Sequence, residues 1–201
     1  EHTTESTRIH YVITRGGNAP NVVPDFAEVY YYARHPMRDE VINVFDRIVD
    51  AAKGAAIGTG TNMDYEIISG VHELLHIETL QKRVHKNLEK VGGYFYTDKE
   101  KAFAEKISET LGIDLDTKYV EGVVPYDPIG KAGGSTDVGD VSFTVPTVGL
   151  NTATWVPGTS AHSWQAVAAG GTSIGIKGMM VAAKTLAPVS YTHLRAHETS
   201  Q

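Results

Sequence analysis

The spacing of apolar residues changes period along this chain, and that change limits the folds open to it. Arg8-Ile9-His10-Tyr11-Val12-Ile13-Thr14 alternates and is rich in β-branched residues, which predicts a strand. Ala27 to Ala33 (AEVYYYA) predicts a second strand, and Arg15-Gly16-Gly17-Asn18-Ala19-Pro20 between them is turn chemistry. From Pro36 to Lys53 the period becomes helical: Val41, Val44, Phe45, Ile48, Val49 and Ala52 fall on one face. Pro36 before that run and Gly54 after it fit the usual asymmetry of helix ends. Met63 to Ile68 (MDYEII) predicts a third strand. Leu80, Val84, Leu88 and Val91 predict a second helix, stopped by Gly92-Gly93. Thr97-Asp98-Lys99-Glu100 has the form of a capping box and opens a third helix that ends at Leu111-Gly112. Residues 113–160 read as strand and loop, with Gly and Pro punctuation and no helical pattern, and Gly175 to Ala187 returns to helix. A β-β-α-β block followed by a mixed block predicts an α/β (α+β) fold, with a small sheet domain inserted in or beside a larger one.

Composition removes several function classes. The 201 residues make one or two domains. Lys plus Arg is 18 against 24 for Asp plus Glu, a net charge of −6 with no clustered basic face, so no nucleic-acid partner is expected. Without Cys there is no disulfide framework, no thiolate nucleophile and no Cys-ligated zinc. No apolar run approaches the roughly 18 residues of a membrane helix, so no membrane partner is expected. Glu1-His2-Thr3-Thr4-Glu5 has neither the basic nor the apolar region of a signal peptide, and a cytoplasmic location is expected. The C-terminal run from Val189 to Thr199 (VSYTHLRAHET) resembles a sequencing adapter read in frame. Residues 188–201 are therefore expected to be an adapter scar, with His193 and His197 part of it. With no initiating Met, the chain is expected to be truncated at both ends.

Four places carry residues suited to chemistry. His72-Glu73-Leu74-Leu75-His76 is a formal HExxH, which on a helix would put two imidazoles on one face around zinc with the Glu as base. It follows a predicted strand directly and lacks a third ligand at metzincin spacing, which favours a strand exit or loop over a zincin-type metalloprotease. Gly130-Lys131-Ala132-Gly133-Gly134-Ser135-Thr136-Asp137 is either a turn or a loop whose N–H groups cradle an anion. It contains no phosphate-binding GxxxxGK[ST] or GxGxxG pattern. His162, beside Trp164 in a stretch between a Pro-Gly turn and a Gly pair, is a candidate metal ligand, a base or a packed side chain. Arg34 ends a strand and could grip a carboxylate through two hydrogen bonds, with Asn21 in the preceding loop; alternatively both are ordinary surface residues.

Four stretches in order carry a resemblance: RIHYVITRGGNAPNVVPDFAEVYYYARHP (8–36), GTGTNMDYEIISGVHELL (58–75), GGSTDVGDVSFTVPT (133–147) and ATWVPGTSAHSWQAVAAGGTSIGIKGMMVAAKTLA (153–187). Through them the chain resembles the dimetal aminoacylase-type peptidases of metallopeptidase family twenty, within an amidohydrolase branch. The resemblance covers about residues 1–187. It implies that residues 1–78 are most of a ferredoxin-like lid used for dimerisation and that residues 79–187 are the C-terminal part of an α/β zinc-peptidase-like catalytic domain. By the same resemblance His162 is a metal ligand, Asn21 and Arg34 contact the substrate carboxylate, and Gly134, Ser135, Thr136 and Asp137 line the cleft. His10 lies where related lids sometimes carry a His, which makes it a candidate for a catalytic role. Two divalent cations, zinc or manganese, are implied for the intact enzyme. The general-base Glu and the other ligands would lie upstream of residue 1. The implied reaction is hydrolysis of an N-acyl or aminobenzoyl amino acid amide, a small-molecule substrate, in a homo-oligomer or with a different partner chain. The chain alone is then expected to be inactive and to expose open sheet edges and apolar surface. A non-catalytic dimerisation module is the remaining alternative.

Overall fold

The computed structural model describes residues 2–128 and 134–198. Its elements run β1 (Arg8–Arg15), β2 (Glu28–Arg34), α1 (Arg38–Thr59), α2 (Glu78–Val91), α3 (Asp98–Leu111), α4 (Lys118–Glu121), α5 (Val138–Ser142), α6 (Trp164–Gly170) and α7 (Ser173–Glu198). The result is a mixed helix-and-strand chain in two compact units. The first comprises residues 1–75 with 131–145, and the second 76–130 with 146–201.

In the first unit β1 and β2 pair antiparallel, with Arg8 opposite Arg34 and Tyr11 opposite Tyr31. Rings stack across and along the hairpin, Tyr11 on Tyr31 at 5.7 Å and Tyr30 on Tyr32 at 5.2 Å between centroids. Helix α1 packs against β2 and buries Val44 and Val49. Of the rest of its predicted apolar face, Val41, Phe45, Ile48 and Ala52 are half-buried. The helix begins two residues after Pro36 and passes through Gly54 and Gly58, so the expected stop at Lys53 is corrected. Its real stop is Gly60, where φ is 67° and the N–H caps the Ala56 and Ile57 carbonyls. Gly54 lies among good helix-forming alanines, and a glycine ends a helix only where the chain takes the left-handed turn.

The third strand predicted at 63–68 does not form. Strand-forming side chains need a partner ladder, and among the described residues β1 and β2 pair only with each other. The segment instead lays Tyr65 edge-on against Phe45 of α1 at 5.9 Å.

In the second unit α2 and α6 pack along α7. Ala104, Ile107, Val156, Ala169 and Ile174 form the core, flanked by Tyr96, Phe103, Leu111, Leu115 and Ala168. Helix α3 carries the expected capping box: Glu100 N–H donates to Thr97 Oγ1 at 3.3 Å, and Thr97 N–H donates to Glu100 Oε2 at 2.7 Å. Gly112 closes it at φ 68°. Backbones meet where side chains are absent: a Cβ on Gly178 of α7 would lie 2.1 Å from the Ala153 carbonyl oxygen. Residues 113–160, expected without helix, contain α4 and α5 and no strand among the described residues. Each of these is a single turn closed by its own flanking residues, too short to show as a helical period. Helix α7 starts at Ser173 and continues through Pro188, which lacks a donor for the bond to the preceding turn, to Glu198. No single described helix is long and apolar enough to cross a membrane.

Candidate functional site

The clearest presented side chain is His162. Upstream of it the chain turns at Gly158, φ 83°, where a Cβ would meet Ile113 Cδ1 at 2.2 Å. Downstream, Ser163 fixes the backbone from both sides, because its hydroxyl donates to the Ser160 carbonyl at 2.7 Å and accepts the Ala166 N–H at 3.2 Å. That second bond caps α6, whose Gln165, Ala166 and Ala169 are buried. Gln165 Nε2 also donates to Thr110 Oγ1 of α3 at 3.3 Å. Between these anchors His162 takes φ 60°, the one non-glycine residue with positive φ among those described. Left-handed backbone in a non-glycine residue is strained by about 1–2 kcal/mol, a condition that concentrates at functional positions. The imidazole is exposed and makes no hydrogen bond or ion pair among the described residues, so both ring nitrogens are open to a ligand.

A catalytic zinc needs about three protein ligands. Among the described residues no group of three or more His, Asp or Glu side chains is arranged to hold a cation. The described residues therefore do not fit a complete metal centre, and His162 stands as one candidate ligand.

The carboxylate-binding candidates lie on the first unit. Asn21 occupies a turn in which the Val22 N–H donates to the Ala19 carbonyl at 3.2 Å, with Pro20 setting the turn's backbone. Arg34 ends β2 opposite Arg8, at the other end of the hairpin. Strand β2 rises about 20 Å over its length at about 3.3 Å per residue, so strand pairing alone does not bring Arg34 to Asn21. Both side chains are exposed. His10 lies mid-strand opposite Tyr32, also exposed. Gly134, Ser135, Thr136 and Asp137 form an exposed run leading into α5. Thr136 Oγ1 accepts the Val138 N–H at 3.3 Å, and the Asp137 carbonyl accepts the Asp140 N–H at 3.1 Å. The preceding Gly130-Lys131-Ala132-Gly133 lies outside the described residues.

The HExxH reading fails on backbone geometry. Residues 72–76 are not helical, and α2 begins only at Glu78. The i,i+4 imidazoles therefore lack the shared helix face that zinc binding requires. Each polar residue of the motif has a separate partner. His72 Nδ1 bonds Asp140, Glu73 Oε2 accepts the Arg38 N–H at 3.1 Å, and His76 Nδ1 meets Gln81 Nε2 at 3.2 Å.

Asp140 is a residue that sequence reasoning missed. Its carboxyl is held below the usual carboxylate range, first by the His72 side chain, then by the His72 N–H, with Arg38 adding to the effect. The partners stand 68 residues apart, and no local pattern joins them.

No family model matches the chain. The relatives it does match point to the aminoacylase-type peptidases and amidohydrolases of metallopeptidase family twenty. It is similar to a p-aminobenzoyl-glutamate hydrolase polypeptide of Escherichia coli (strain K12), with 34% identity over 213 aligned residues, 93% of this chain and 44% of that protein. It is also similar to the Xaa-Arg dipeptidases of Mus musculus and Homo sapiens, each 30% identical over 142 residues, 69% of this chain and 26% of theirs. The chain thus spans less than half the length of the curated relatives it matches.

Proposed function

We propose that this chain is part of a metal-dependent amidohydrolase that releases an amino acid from an N-acyl or aminobenzoyl amide such as p-aminobenzoyl-glutamate. The observation that carries the proposal is 34% identity to the Escherichia coli p-aminobenzoyl-glutamate hydrolase polypeptide, sustained over 93% of the chain. Residues 1–78 act as a lid of ferredoxin-like type and residues 79–187 as the C-terminal part of the catalytic domain. The Arg34 guanidinium grips the carboxylate of the amino-acid half, where a planar fork of donors matches two oxygens. The Asn21 amide donates to the same end of the substrate, in a closed lid or from a second copy. Gly134 to Asp137 offer N–H and hydroxyl groups to the cleft. His162 supplies one ligand to a centre of two divalent cations, zinc or manganese. Among the described residues no group of three or more His, Asp or Glu side chains completes that centre around the imidazole. Assembly runs through the hairpin, as a homo-oligomer or with a different partner chain; the exposure of Tyr11, Ile13 and Tyr31 there supports this.

The test is titration of p-aminobenzoyl-glutamate into the 201-residue chain, followed by NMR. Arg34→Ala should weaken binding about tenfold or more, the usual size for a charge-assisted pair of bonds. Equal affinity in the two chains would remove Arg34 from the substrate site.

A further inference from the structure

Within the first unit, residues 72–75 and helix α5 are fastened together at several points. The His72 N–H donates to Asp140 Oδ1 at 3.2 Å, and the His72 ring Nδ1 bonds the same oxygen. The Leu75 N–H donates to Ser142 Oγ at 2.8 Å, and that hydroxyl donates to the Gly139 carbonyl at 2.6 Å. Between these bonds the two backbones touch, since a Cβ on Gly139 would lie 1.9 Å from the His72 carbonyl oxygen. Phe143 covers the imidazole with ring centroids 5.0 Å apart. Apart from the Ser142–Gly139 bond inside α5, none of these contacts belongs to a helix or a sheet ladder. They join two stretches whose sequence separation makes closure entropically unfavourable without them.

Directly before α5 lies the run Gly134–Asp137, all four residues of which are exposed. Its last two residues are tied to α5 by the Thr136 and Asp137 bonds described above, so wherever α5 is fixed, the C-terminal end of the run is anchored too.

We propose that Asp140 is a positioning residue: by gripping His72 it seats α5 on residues 72–75 and holds Gly134–Asp137 where they line the substrate cleft. The cleft role rests on the reading given under Proposed function; the grip itself does not. The titratable and charged groups acting on the carboxylate are His72 and Arg38, and Glu73 Oε2 accepts the Arg38 N–H. A carboxyl whose folded-state pKa is lowered holds its partner above the ordinary carboxylate range and releases it as pH falls through the lowered value.

Amide hydrogen exchange on the whole 201-residue chain tests this. Asp140→Ala should speed exchange at His72, Leu75 and residues 134–142 by about two- to fivefold, the size of an exposed charged contact. The β1–β2 hairpin and α3 should not change. Asp140→Asn keeps an acceptor for the His72 N–H and should fall between. In the unsubstituted chain the same residues should loosen as pH drops below the ordinary carboxylate range, and Asp140→Ala should abolish that step. Unchanged exchange at 134–142 in Asp140→Ala, or equal loosening across the whole first unit, would overturn the proposal. If exchange responds as expected but p-aminobenzoyl-glutamate shifts nothing at 134–137, the grip stands and the cleft role is refuted.

Discussion

Glu100 carries a stability that pH should switch off. The residue is buried, 6% exposed, at the first turn of α3. Its carboxylate accepts Lys177 Nζ at 2.6 Å, Ser173 Oγ at 2.6 Å, the Thr97 N–H at 2.7 Å and Thr97 Oγ1 at 3.0 Å. Burial pushes the carboxyl up, but the Lys177 ammonium, the Ser173 hydroxyl and Thr97 more than offset it and bring it from 4.5 to about 2. At about 1.4 kcal/mol per pH unit that difference corresponds to about 3 kcal/mol. Lys177 is 33% exposed, and solvent screening reduces the expected contribution to about 2 kcal/mol. Because the folded-state pKa is lowered, this stability is fully present above pH 4.5 and is lost as pH falls toward about 2. Glu100→Gln should therefore be destabilised by about 2 kcal/mol at neutral pH and should match the unsubstituted chain near pH 2. Urea unfolding followed by circular dichroism, repeated from neutral pH down to about 2, measures the gap. A gap that stays constant over that range, or one below about 0.5 kcal/mol at neutral pH, would refute the assignment of this stability to the Glu100 charge.

Two further outcomes follow from the geometry. His162→Gly should raise thermal stability by about 1 kcal/mol, because glycine relieves the φ 60° strain, while His162→Ala should not; equal melting of the two variants would show that no strain is stored there. The chain exposes 15140 Å² of surface, whereas two separate compact domains of this total mass would expose about 11,000 Å². Tyr11, Ile13, Ile57, Ile67 and Phe95 are among the exposed apolar residues, so the isolated chain should bind a dye that reports apolar surface. A sharp two-state melt without dye binding would contradict this.

Local chemistry determined most of the elements. The apolar stripe of α1, the Gly92 stop of α2 and the Thr97–Glu100 box of α3 are short-range signals that act through contacts within a few residues, and the alternating β1 and β2 find their ladder in each other across one connecting loop. The motif order also carried the family resemblance, because four separated stretches in sequence order signal it more strongly than any single residue. Tertiary structure decided the rest. Met63–Ile68 has strand-forming side chains, but a strand exists only where another backbone offers a ladder. His72-Glu73-Leu74-Leu75-His76 has a metal-binding spacing, but that spacing acts only on a helix, and here residues 72–75 are drawn into bonds with α5. The Glu100–Lys177 pair spans 77 residues and the His72–Asp140 pair 68, distances over which no periodicity operates and only the packed chain chooses partners.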